Sequence, residues 1–115
     1  MGVAAVNIAA LQRACLPMLV LDVLSVAPRH GYGISQALEA AGLQPIRGAQ
    51  LYPALVRLED EGFILAQWEQ SESGPARKVY VLTADGRAQR DRLHEHWGDF
   101  IRAAETLAET PSALR

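Results

Sequence analysis

Few side chains in this 115-residue chain could carry chemistry, and their spacing argues against a reaction centre. The three histidines are His30, His94 and His96. The last two stand two apart on a helical stretch, so they point in different directions, and no carboxylate completes a metal-ligand set with them. Cys15 is the only cysteine, which excludes an intramolecular disulfide and a Cys/His zinc cluster. No Ser/His/Asp or Cys/His pairing is placed for nucleophilic attack, and no glycine-rich phosphate loop is present. The residues describe a non-enzyme with no cofactor and no metal.

Cations at turns, one isolated acid and one late tryptophan remain. Arg29 and His30 precede a short helix whose N-terminus can itself donate to a phosphate. Gln50, Pro53 and Arg57 share one face of a later helix, opposite its leucines. Arg57 there either touches a phosphate or a guanine edge, or is a solvated residue paired in helix register with Glu61. Arg77 and Lys78, the latter the only lysine, stand beside a hairpin tip where two cations suit phosphate contact. Glu59, Asp60 and Glu61 would repel phosphates, so only the N-terminal half of their helix is expected to enter a groove. Asp22 is the sole acid in an apolar stretch, which calls for either a cationic ligand or an ion pair.

The elements that must position these residues follow from periodicity. From Ala4 to Val26 apolar residues recur at helical spacing in two rows, the mark of a helix buried on more than one side; Pro17 either kinks it or separates a short preceding helix. Pro28 to Gly33 reads as a turn, followed by a helix from about Ile34 to Ala41 that Gly42 ends. A third helix runs from about Ala49 to Glu61, with Leu51, Ala54, Leu55 and Leu58 facing the core, Pro53 near its opening turn and Gly62 as its stop. Two extended runs, Phe63 to Glu69 and Lys78 to Leu82, form a hairpin around a polar tip. Thr83 caps a long helix to about Glu109, along which Leu93, Trp97, Phe100, Ala104 and Leu107 keep a heptad-like step. Such a seam has little of its own chain to pack against, so a homodimer is expected.

The chain thus reads as a single α+β, mostly helical domain over residues 1–115: a core at about 15–83 and a dimerisation helix at about 84–109. Three helices, a two-stranded wing and a final helix are the order of a winged helix-turn-helix, whose third helix enters the DNA major groove. Three motifs carry a family resemblance as well: Pro28-Arg29-His30-Gly31-Tyr32-Gly33-Ile34, the run from Leu51-Tyr52-Pro53 to Glu61-Gly62, and Gly74-Pro75-Ala76-Arg77-Lys78-Val79-Tyr80-Val81-Leu82-Thr83. Together they resemble the PadR family of bacterial transcriptional regulators, in its short form with one C-terminal helix. The resemblance implies a dimeric, ligand-responsive repressor of a pseudo-palindromic operator, with Tyr52 at a position that contacts the DNA backbone. One departure is Arg47-Gly48-Ala49-Gln50, where relatives place a Ser or Thr cap before the Leu-Tyr-Pro.

In similar short regulators a tryptophan in the last helix stacks flat aromatic ligands between subunits. Trp97 corresponds to it, with His94 and Ile101 on its face and Met18 and Asp22 on the opposing wall; the plainer reading is that Trp97 fills the dimer seam. The leading expectation is a cytoplasmic repressor released by a small aromatic effector; the rivals are a winged-helix protein-docking module and a ligand-binding protein without regulation. The stretch from Cys15 to Ala27 is too short for a bilayer, which needs about 20 apolar residues, so no membrane partner is expected. The formal charge of -2 is no argument for bulk attraction to DNA. Because the cations lie at turns and wing while the acids end the third helix, few phosphate contacts and a shallow salt dependence are expected.

Overall fold

The computed structural model describes residues 2–111, with side chains from residue 8 onward. The first apolar stretch is two helices, α1 (Gly2–Ala14) and α2 (Leu16–Val26), parted at Cys15. Ile8–Ala14 and Leu16–Val26 meet at 71°. Proline explains the break: Pro17 has no N–H and its ring would strike the carbonyl four residues back, whereas in the first turn of a new helix it costs little. The two apolar rows part with the helix. In α2 Leu16, Val20, Leu21 and Leu24 are buried, whereas Ile8 and Leu11 of α1 are exposed. Among the described residues no single helix is long and apolar enough to cross a membrane.

Around α2 pack Ile34 and Leu38 of α3 (Gly31–Ala40), Leu51, Leu55 and Leu58 of α4 (Gly48–Asp60), and Ile64 and Tyr80 of the sheet. Both helices stop in the same way. Gly42 and Gly62 take φ of +100° and +83°, and the following Leu43 and Phe63 N–H groups donate to Leu38 and Leu58 carbonyls at 3.1 and 2.9 Å. These are Schellman closures, which satisfy the last carbonyls of each helix. The opening of α4 is uncapped: Arg47 makes no side-chain hydrogen bond there, in keeping with the missing Ser or Thr. Pro53 lies inside α4, beyond its opening turn, so the bond its N–H would have given to Ala49 is absent.

The sheet departs from expectation in two ways. It has three strands in the order β1-β3-β2, because Arg29–His30 is not a turn but a short strand, β1, pairing antiparallel with β3 at Arg29↔Tyr80 and His30↔Val79. The two-stranded wing is also longer than its apolar runs. β2 spans Ile64–Ser71 and β3 spans Gly74–Leu82, leaving only Glu72 and Ser73 at the tip. Beyond the two residues covered by β1, one edge of β3 is free, and there Pro75 costs no ladder bond.

The last helix, α5 (Ala84–Glu109), begins as expected. Thr83 Oγ1 accepts from the Gly86 N–H at 2.9 Å and donates to the Gly62 carbonyl at 2.8 Å. One hydroxyl therefore caps α5 and ties it to the end of α4. Only the first part of α5 lies on the core, through Leu93; Phe100 and Leu107 project into solvent.

Candidate nucleic-acid interface

The outward face of α4 carries Gln50, Pro53 and Arg57, with Arg57 and Pro53 exposed and Gln50 half-buried. This face borders a groove of about 400 Å³ whose other wall is the end of α1, with Arg13. Arg57 forms no ion pair among the described residues, so the helix-register pairing with Glu61 is not made. Its guanidinium is left for an external acceptor.

A second concavity, of about 780 Å³, lies between the start of α3 and the wing, and it gathers Arg29, His30, Tyr52, Arg77 and Lys78. The glycines of the first motif serve here as helix residues, not as a turn. A Cβ on Gly31 would lie 2.5 Å from the Tyr52 hydroxyl oxygen, so only glycine lets the tyrosine reach the first turn of α3. That first turn has unshared N–H groups, and beside it Arg29 Nε is buried with no hydrogen-bond partner. Buried donors are normally satisfied, so Arg29 is one cationic donor in want of an acceptor in a cleft that Glu69 also lines.

The wing cations are not at its tip. Arg77 and Lys78 pair across the ladder with Glu69 and Trp68 and, being adjacent, point to opposite faces. Lys78 Nζ lies 3.7 Å from Glu59 Oε1 and 5.6 Å from the centroid of the Tyr80 ring. The expectation that the acids simply lie out of the way at the end of α4 is corrected: Glu59 reaches the wing and partly neutralises the only lysine. Burial pushes the Tyr80 phenol up from its ordinary value, and Lys78 opposes that shift.

The residues expected to bind a ligand are mostly brought together. Met18, Asp22, His94 and Trp97 line a cavity of about 350 Å³ with Leu11 of α1. An adjoining cavity of about 310 Å³ lies on the side of Trp97 toward Leu93 and Phe100. Ile101 lines neither, because it follows Trp97 by a full turn while α1 and α2 wall only the earlier part of α5. Asp22 is answered from within the chain. Its Oδ1 accepts from Arg90 Nε at 2.6 Å, and His94 Nε2 lies 2.7 and 2.8 Å from its two oxygens. Of the two readings of Asp22, the ion pair is the one observed, and no cationic ligand is needed. Among the described residues no group of three His, Cys, Asp or Glu could hold a metal ion.

Sequence reasoning missed Arg13, Arg90 and Gln12. Arg90 stands one turn before His94, and that spacing was a usable signal. Gln12, buried in the fold, gives no such sign. Its amide donates to the Gln44 carbonyl and accepts from the Gln44 N–H, both at 2.8 Å, clasping α1 to the turn that leads into α4.

Comparison with known proteins agrees with this architecture. Residues 20–92 match the model of the transcriptional regulator PadR-like family. The chain is 35% identical over 77 residues to the transcriptional regulator Rv3488 of Mycobacterium tuberculosis, covering 67% of this chain and 70% of that protein. It resembles the crystal structure of a PadR family transcriptional regulator from Eggerthella lenta with a TM-score of 0.86 and 30% identity, covering 96% of each chain. A PadR-like regulator from Bacillus cereus superposes with a TM-score of 0.75 at 25% identity, over 89% of this chain and 99% of that one. With its winged helix-turn-helix and long last helix, the chain belongs to the PadR-like family of transcriptional regulators, and its role is regulation, not catalysis.

Proposed function

We propose that the protein is a homodimeric DNA-binding repressor that places the N-terminal half of α4 in the major groove and is released by a small aromatic molecule. The observation that carries the reading is the outward face of α4, where Gln50, Pro53 and the unpaired Arg57 line one groove while Tyr52 of the same helix lines the cleft beside the wing. Gln50 and Arg57 have the donors that base edges and phosphates accept. Arg29, His30, Tyr52, Arg77 and Lys78 would meet the flanking backbone.

Dimerisation is supported by the apolar side of α5. Trp97, Phe100 and Leu107 are 40, 59 and 67% exposed, and Ala104 is open as well, while Leu93 is shared with the protomer's own core. Leu11 and Ile8 of α1 extend the same apolar surface. A contiguous apolar surface of this kind marks an association site. A two-fold dimer implies a pseudo-palindromic operator.

The cavity beside Trp97 supports an effector site. Its walls are apolar apart from Gln12, Asp22 and His94; Gln12 is spent on Gln44 and the Asp22 carboxylate is met by Arg90 and His94, so the fitting ligand is a flat aromatic with no obligatory positive charge. Such a ligand would shift the spacing of the two wings by favouring one arrangement of the dimer. Selection of bound duplexes from a random pool tests the reading: a two-fold symmetric sequence is expected, and failure of the dimer to retain any duplex at low salt would overturn it.

A further inference from the structure

We infer that Arg13, at the end of α1, is a DNA-backbone contact, which extends the interface beyond the helix-turn-helix and wing; the inference rests on the DNA-binding reading above. Arg13 and Arg57 stand on opposite walls of one groove, with Gln50 and Pro53 between them. Neither arginine has an ion-pair partner among the described residues. No carboxylate lines this groove with the two guanidinium groups, so an anion seated in it is met by a cation from each side. The lysine of the wing is by contrast held by Glu59.

The position of Arg13 in the fold fits a phosphate and no other obvious task. It follows Leu11 by two residues, so it lies on roughly the opposite side of α1 from the apolar surface offered to a second protomer. It occupies the last turn of the helix, where a cation also complements the dipole. The bend at Cys15 and the Gln12–Gln44 clasp hold that last turn beside α4, so the arginine stands on a fixed support. An α4 seated in a major groove brings the groove wall, a phosphate strand, toward the end of α1. Arg13 therefore adds affinity without sequence preference, as a backbone contact does.

The test is fluorescence anisotropy of the full-length dimer with a labelled duplex enriched by the wild-type protein from a random pool, and with a scrambled duplex of the same length, across a salt series. Arg13→Gln is expected to weaken binding about tenfold on both duplexes, and to flatten the plot of log affinity against log salt by about 1.8, two lost phosphate contacts per dimer. Arg13→Lys is expected to restore most of the slope. Wild-type binding combined with an unchanged slope for Arg13→Gln overturns the inference and leaves the DNA-binding reading intact. Loss confined to the enriched duplex also overturns it, since that is the mark of base reading. No binding of either duplex by the wild-type dimer at low salt overturns both.

Discussion

The outward face of α4 and the apolar side of α5 are both incomplete, but in opposite senses. On α4 the outward face carries Gln50 and the unpaired Arg57 beside Pro53, and they are presented by a helix held at its C-terminal end by a Schellman closure and along its length by Leu51, Leu55 and Leu58 in the core. On α5 the uncovered groups are Trp97, Phe100 and Leu107, on a 26-residue helix whose own chain covers only its beginning. One face lacks an anion and the other lacks apolar surface. On the proposed function, affinity for DNA and the assembly of two protomers fall to separate surfaces, and substitutions can address them one at a time.

The most damaging substitution makes the α5 surface polar. Phe100→Asp is expected to yield a monomer in sedimentation equilibrium and to cost about 100-fold or more in operator affinity through loss of bivalency, with α4 itself untouched. A dimer that persists in this variant would remove α5 as the seam. Arg57→Gln is expected to cost about 1–3 kcal/mol in operator binding while leaving the dimer and the thermal midpoint unchanged. Equal binding by variant and wild type would deny α4 its reading role. Between the two faces lies Asp22→Asn, which weakens the acceptor of Arg90 and His94; a loss of about 1 kcal/mol in thermal or denaturant stability is expected, modest because the cluster is partly open to water. An unchanged denaturation midpoint would show the cluster to be structurally idle. The smallest effect is a gain: Glu59→Gln frees Lys78 and is expected to raise DNA affinity about threefold and steepen its salt dependence. A drop in affinity would mean that Glu59 positions the wing instead of shielding it.

Features set by local chemistry were legible in the sequence. Thr83 as the cap of α5, Gly42 and Gly62 as helix stops, the leucine face of α4 and the exposed heptad-like row all depend on neighbours within a turn or two. Contacts that close over long separations were hidden. β1 is two residues long and exists only because β3 lies beside it. The need for glycine at position 31 comes from Tyr52, and the neutralisation of Lys78 comes from Glu59. The wing strands run past their apolar residues because hairpin pairing, once started at Ile64↔Leu82, carries polar residues along in register. For the same reason the net charge of -2 said little: the cations that matter are those without partners, and partnership is a property of the folded chain.

The Gln12–Gln44 clasp gives α1 a mechanical role. A side-chain amide bonded twice to one backbone unit resists shear as a short piece of β ladder does, and separating the two would strand buried polar groups at about 1–3 kcal/mol each. Displacing α1 alone is therefore more costly than moving it together with the turn before α4. Leu11, facing the cavity, and Gln44, four residues ahead of α4, belong to one rigid link, so the cavity wall and the approach to α4 are mechanically joined.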